Sequence, residues 1–358
     1  MKRRIVIKVG SNVLTRADQK LDITRMSALV DQIALLQKED IEVLLISSGA
    51  VASGRSEVQL GKSLDSVSER QLYSAVGQAK LINRYYELFR EQGLHCGQVL
   101  TTKENFASRK HYLTQKHCME VMLQHQVIPI INENDTISVT ELMFTDNDEL
   151  SGLIATMMNA DTLIILSNID GVYNGHPKDP QSHVIARIDP TNGDIDTYIQ
   201  AEKSSFGRGG MLTKCNIARK VASEGTEVII ANGRRDHILT QLIFHPDDTL
   251  CTRFVASRHV ASNIKKWIAH SADFAKGTVY INAGAEEVIS SASASSLLLV
   301  GITRIEGDFE KEDLVHVVSH DGRHLGIGCA AYSSSEAVAL IGQKHHKPMI
   351  HYDYLWLN

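Results

Sequence analysis

The chain has 358 residues, with 37 Lys+Arg against 42 Asp+Glu, 43% hydrophobic residues and only 6 Pro. At roughly 100 to 200 residues per domain, this length points to two domains with ample apolar material for a core, which excludes disordered and fibrous classes. A formal net charge of -5 argues against a chain whose main task is gripping nucleic acid or an anionic membrane, and favours a small-molecule partner.

The opening MKRRIVIKVGS is basic, but Lys8 and Gly10 interrupt the apolar run too soon for a secretory core, so no signal peptide is expected. The longest uncharged stretch, VISSASASSLLLVGIT at 288–303, is too short and Ser-rich to span a membrane. Five cysteines, odd in number and never in a C-x-x-C pair, exclude a zinc ribbon or disulfide framework and suit a reducing compartment, so a cytoplasmic location is expected.

Apolar, β-branched runs recur in chain order at 3–10, 42–49, 126–132, 161–168 and 226–233. Their near-continuous Val, Ile and Leu content predicts strands buried on both faces, hence an α/β fold with an open, mostly parallel sheet sandwiched by helices. Thr24 is the expected cap of a helix whose Met26, Leu29, Val30, Ile33 and Leu36 form one stripe, and Ser68 the expected start of another that ends at Gly93. Beyond about residue 258 short segments separated by Gly, Asp and Ser, with Asp321-Gly322 marking a hairpin, predict a small all-β barrel. The expected division is a first domain over 1–258, a linker over 259–272 and a second domain over 273–358. Residues 265–358 hold 8 Lys+Arg and 11 Asp+Glu, net -3, against net -2 for the remainder. Neither part is basic.

Ligands of an open parallel sheet bind at the carboxyl ends of its strands. Those ends are rich in small polar residues: Lys8-Val9-Gly10-Ser11-Asn12, Ser47-Ser48-Gly49-Ala50 and Asn132-Glu133-Asn134-Asp135. Glycine there admits backbone N–H groups to a phosphate, and a helix starting at such a turn points its positive end at the anion. The plainer reading is ordinary turn punctuation. Neither G-x-x-x-x-G-K-[ST] nor a strand-borne G-x-G-x-x-G is present. GRGGMLTK at 207–214 instead sets Lys214 in the first turn of a helix, where it opposes the dipole by up to about 1 kcal/mol unless an anion offsets it. Lys8 lies inside an apolar strand, where a charge is costly unless paired. Two such lysines can neutralise a transferring phosphoryl group. Asp146, Asn147 and Asp148 open another helix; one of them would serve as its cap, and the rest could orient the lysines, hold Mg²⁺ through water, or bind a substrate ammonium. The 16 histidines form no H-E-x-x-H, and Ser47 and Ser48 sit in no G-x-S-x-G.

In this order and spacing, KVGSN at 8–12, SSGAVASGR at 47–55, AVGQAKL at 75–81, INENDT at 131–136, DND at 146–148, DGVY at 170–173 and GRGGMLTK at 207–214 resemble the amino acid kinase family. The trailing GTVYINAGAEEVI, SSLLLVGITRIEGDF and IGCAAYSSSEAVALIG resemble a PUA domain. The resemblance, which covers nearly the whole chain, implies ATP-dependent phosphorylation of the γ-carboxylate of L-glutamate at the entry to proline synthesis, with Mg²⁺ as cofactor. It implies that Lys8 and Lys214 grip the phosphoryl group and Asp148 holds them, and that Ser48, Asp135 and Asn147 bind glutamate. ATP would meet Ser167, Asn168 and the run Arg208, Gly209, Gly210, Met211, Leu212, Thr213 and Lys214. Asn168 stands where many relatives carry an acidic residue. Feedback inhibition by proline and a homo-oligomer, dimer or tetramer, are also implied. The loop 136–146 is expected to expose Leu142, Met143 and Phe144 over the site. A different acceptor within the family, such as aspartate, N-acetylglutamate, carbamate or a nucleoside monophosphate, is the alternative enzyme. RNA binding through the PUA domain is the alternative class, and a net charge of -3 disfavours it.

Overall fold

The computed structural model describes all residues except 1, 19, 62–63, 138–143, 145, 178, 191–209, 258–262, 272–273, 292–294 and 358. The chain forms two compact units, one of residues 1–103 and 115–260, the other of residues 104–114 and 261–358.

The first unit is built on an eight-stranded sheet of β1 (Arg4–Val9), β2 (Glu42–Ser47), β3 (His95–Thr101), β4 (Val127–Glu133), β5 (Thr162–Ser167), β6 (Arg187–Ile188), β7 (Glu227–Asn232) and β8 (Thr252–Phe254), in the order β3-β4-β2-β1-β5-β7-β8-β6. β1 lies parallel between β2 and β5, and only β8, antiparallel to β7, and its parallel partner β6 reverse direction. Ile5, Ile7 and Val9 enter one core with Leu29, Ile33, Leu81 and Phe89. Because side chains alternate along a strand, Lys8 turns to the opposite face.

The helices of this unit begin with α1 (Ser11–Leu14), α2 (Ile23–Lys38), α3 (Ala50–Arg55) and α4 (Ser66–Glu91). α2 buries the expected stripe, but Asp22 rather than Thr24 is its cap, its carboxylate accepting from Arg25 N. α4 likewise starts two residues before Ser68, where Asp65 accepts from Val67 N and Ser68 N. A carboxylate upstream out-competed the hydroxyl in both places. α3 and α4 pack backbone to backbone: a Cβ at Gly54 would lie 1.8 Å from Tyr73 O, and one at Gly77 would lie 1.8 Å from Ala50 O. Only glycine permits that approach.

The second unit takes in α5 (Glu104–Ala107) and the start of α6 (Arg109–Gln124); α7 (Asn147–Met157), α8 (Met211–Ser223) and α9 (Ile238–Phe244) belong to the first. It continues through α10 (Asn263–His270) into a five-stranded sheet of β9 (Gly277–Ile281), β10 (Ile302–Gly307), β11 (Leu314–Val318), β12 (His324–Cys329) and β13 (Leu355–Leu357), ordered β10-β9-β11-β12-β13. β11 and β12 form the hairpin expected around Asp321-Gly322. The unit is not strand alone, since α11 (Ala283–Ser290) and α12 (Ser334–Ala339) are capped by Asn282 and Ser333. Within it, the Phe106 carbonyl accepts from Trp267 Nε1 (2.8 Å) and Ser271 Oγ (3.0 Å).

Candidate active site

Three strand ends of the first unit, those of β1, β2 and β5, converge on one cavity of about 340 Å³. β1 runs into Gly10, whose N–H donates to Leu166 O (3.1 Å) at the end of β5, and Ser48 N donates to Val9 O (3.1 Å) after β2. Lys8, Ser48, Asn147, Asp148, Ser167, Asn168, Gly210, Met211 and Lys214 all line this cavity. A Cβ at Gly10 would press on Leu166 O at 3.2 Å and lie 3.6 Å from Lys8 Nζ. The turn that opens the cavity is thereby kept bare beside its cation.

The centre of the site is a carboxylate held between two ammonium groups. Lys8 Nζ lies 2.7 Å from Asp148 Oδ1, and Lys214 Nζ lies 2.9 Å from Asp148 Oδ2. The Asp148 side chain is 1% exposed, those of Lys8 and Lys214 7% and 13%. Burial alone would raise the pKa of Asp148, but the charges and hydrogen bonds of Lys8 and Lys214 outweigh it and hold the carboxyl below its ordinary value. Asp148 is free for this duty because Asp146 caps α7, accepting at Oδ1 from Asp148 N (2.9 Å) and Glu149 N (3.2 Å). Asp146 Oδ2 is buried with no hydrogen-bond partner among the described residues. Its pKa is raised by burial and then by Asp148. The formal charges of Lys8, Lys214, Asp146 and Asp148 cancel, so a polyphosphate entering here calls for a further cation. The orphaned Asp146 oxygen suits a hydrated Mg²⁺, while among the described residues no cluster of three or more His, Cys, Asp or Glu converges to hold a bare ion.

Beside the triad runs a row of amides. Asn147 Nδ2 donates to Ser48 Oγ (2.9 Å) and to Asn132 Oδ1 (3.0 Å), and Asn132 Nδ2 donates to Gln78 Oε1 (2.8 Å). Asp135 is buried but is not among the cavity-lining residues: its carboxylate accepts from Arg70 Nε (2.7 Å) and Ser74 Oγ (3.0 Å), and Arg70 also donates to Glu133 (3.0 Å). Ser167 Oγ donates to Asn168 Oδ1 (3.3 Å) at the end of β5.

Leu212 and Thr213 do not line the cavity, and Arg208 and Gly209 lie outside the described residues. The loop expectation needs a correction. Phe144 is buried at 2% exposure, its N–H donating to Glu133 Oε1 (3.0 Å), so it belongs to the packing rather than to an exposed patch; Leu142 and Met143 lie outside the described residues. Sequence reasoning gave no role to Arg70, Ser74, Gln78, Asn132 or Glu133. The signal was available in part, since Gln78 lies in AVGQ and Asn132 and Glu133 in INENDT.

A parallel α/β sheet carrying two cations, one buried and one half-buried, about one buried carboxylate at a glycine-lined turn is the framework of a phosphoryl-transfer enzyme, with charge placed to hold transferring phosphate. The amino acid kinase family matches residues 3–232 and the PUA domain residues 277–352; the chain belongs to the amino acid kinase family. It is 65% identical to a glutamate 5-kinase of Bacteroides thetaiotaomicron over 354 residues, which are 99% of this chain and 98% of that one. It is 47% identical to a glutamate 5-kinase of Chlorobaculum tepidum over 99% of this chain and 97% of that one. The fold is shared with carbamate kinase from Giardia lamblia bound to AMP-PNP, at TM-score 0.53 and 16% identity, over 72% of this chain and 99% of the other. No helix among the described residues is long and apolar enough to cross a membrane.

Proposed function

We propose that this chain transfers the γ-phosphoryl group of ATP to the γ-carboxylate of L-glutamate, the first step of proline biosynthesis, in the cytoplasm. The carrying observation is the Lys8–Asp148–Lys214 triad around a buried carboxylate, together with near-full-length similarity to two glutamate 5-kinases. The acceptor carboxylate is already ionised at neutral pH, so no general base is required. What remains is positioning and neutralisation. Asp148 spaces the two ammonium groups so that they meet the equatorial oxygens of the phosphoryl group in flight. Ser167 and Asn168, with the Arg208–Lys214 segment, take the nucleotide, and Gly210 leaves its helix start open to the phosphates. Asp146 would hold Mg²⁺ through water, and the ion would supply charge neutralisation for the phosphates. We assign chemistry to residues 1–258 and the PUA fold to 273–358, joined by 259–272.

Glutamate is held by Ser48, Asn147 and Asp135. A carboxylate has about four acceptor positions, so Asp135, already serving Arg70 and Ser74, retains capacity for the α-ammonium. Proline carries the same α-groups without the γ-carboxylate, so it inhibits competitively with glutamate by occupying those contacts. We also propose a homo-oligomer, dimer or tetramer. The deciding assay incubates the full chain with ATP, Mg²⁺ and a panel of carboxylates, trapping acyl phosphate with hydroxylamine. Hydroxamate from glutamate alone is expected; hydroxamate from aspartate or N-acetylglutamate instead would reassign the acceptor. Asp135→Ala should raise the KM for glutamate selectively, and a selective rise for ATP would remove Asp135 from the acceptor side.

A further inference from the structure

One buried side chain reaches the cavity only through others. Gln78 is 8% exposed on α4 and does not line the cavity, yet its Oε1 accepts from Asn132 Nδ2 at 2.8 Å. Asn132, 3% exposed at the end of β4, accepts in turn from Asn147 Nδ2 at 3.0 Å, and Asn147 also donates to Ser48 Oγ at 2.9 Å. We infer that Gln78 is a positioning residue that fixes the direction of this relay and so determines which atom Asn147 offers the acceptor substrate.

The argument is one of donor and acceptor accounting. An amide has a carbonyl at one end and two N–H donors at the other. With Gln78 Oε1 taken up as acceptor, Asn132 must turn Oδ1 toward Asn147. Asn147 then commits its Nδ2 to Asn132 and Ser48, and its Oδ1 is left to accept. Ser48 Oγ, already accepting, keeps its O–H to donate. The pair therefore presents an acceptor and a donor side by side, which matches the adjacent α-ammonium and α-carboxylate of an amino acid. Reversing every amide would preserve the shape of the relay while turning Asn147 N–H toward the ammonium, a repulsive contact. Shape alone does not choose between the two directions, so the choice falls to the group at the closed end. That group follows Gly77, whose backbone lies against Ala50 O too closely for any side chain, so the turn of α4 carrying Gln78 is held in place.

The inference rests on the amino acid substrate proposed above, and glutarate, which lacks the ammonium, isolates it. Native chain should favour glutamate over glutarate in kcat/KM. Gln78→Met, close in shape but without an amide, should narrow that preference by about tenfold or more, the order expected for one hydrogen bond to a charged group, with the KM for ATP unchanged. Gln78→Glu retains an acceptor at the same place and should keep the native preference. A merely structural role would move both variants alike, or would move the KM for ATP and kcat with that for glutamate; either pattern overturns the inference. Thermal melting establishes that each variant is folded. Should Gln78→Met fail to fold, Gln78→Glu decides alone, and a tenfold loss of preference in it refutes the relay. A native chain that makes no hydroxamate from glutamate counts against the proposed function itself, whereas native activity with an unchanged preference in Gln78→Met counts against Gln78 only.

Discussion

Each lysine of the triad touches Asp148 on a separate oxygen, so neither can replace the other. Lys8→Ala and Lys214→Ala should each lower turnover by about two to three orders of magnitude, the usual loss for one transition-state contact; initial rates check this, and near-native turnover removes that lysine from the chemistry. Asp148→Asn has a different signature. The cap of α7 is Asp146, so capping predicts no cost, whereas the buried Lys8 ammonium and the half-buried Lys214 ammonium deprived of their carboxylate should cost up to about 3–5 kcal/mol. That cost must depend on pH. Asp148 has a depressed native pKa, so its contribution is complete above the unfolded carboxylate value of about 3.9 and disappears as pH falls through the lower native one. Denaturant unfolding at several pH values should show the gap between native chain and Asp148→Asn closing only in that acid range. A gap that stays constant would mean the carboxylate is not ion-paired. The lysines were legible because each broke a local rule, a charge inside an apolar strand or at the wrong end of a helix. Gln78, Asn132 and Arg70 broke none, and nothing in a linear pattern says that an amide on a long amphipathic helix faces another amide.

The α3–α4 pair links packing to the site. Gly77→Ala would drive a methyl into Ala50 O, at 1.8 Å before relaxation, and overpacking of this kind typically costs about 1–3 kcal/mol. The same displacement would move Gln78. We therefore expect a lower melting temperature together with a higher KM for glutamate, and unaltered kinetics in a destabilised Gly77→Ala would separate packing from the relay. The five strands apparent in the sequence are those buried on both faces. The ones that escaped have physical reasons to: β3 is an edge strand with His95, Gln98 and Leu100 exposed and no continuous apolar run, and β8 and β6 have only three and two residues. The helix starts were displaced by two residues because Asp22 and Asp65, rather than Thr24 and Ser68, satisfy the first N–H groups.

At the scale of the whole chain, the acceptor for Trp267 and Ser271 is a carbonyl some 160 residues earlier, at Phe106. Residues 104–114 are thus structural members of the second unit, and a fragment starting at residue 261 would leave the indole N–H of Trp267, itself 1% exposed, without its partner. A buried donor so stripped costs about 1–3 kcal/mol. That fragment should melt below the second unit of the intact chain. The same indole makes the comparison measurable. The chain has two tryptophans, Trp267 and Trp356, and both lie in the second unit. Intrinsic tryptophan emission is consequently a built-in reporter for that unit and is blind by composition to the unit that carries the cavity. Followed beside far-ultraviolet circular dichroism, to which the helices of the first unit contribute most, the two signals give each unit its own unfolding curve without any label.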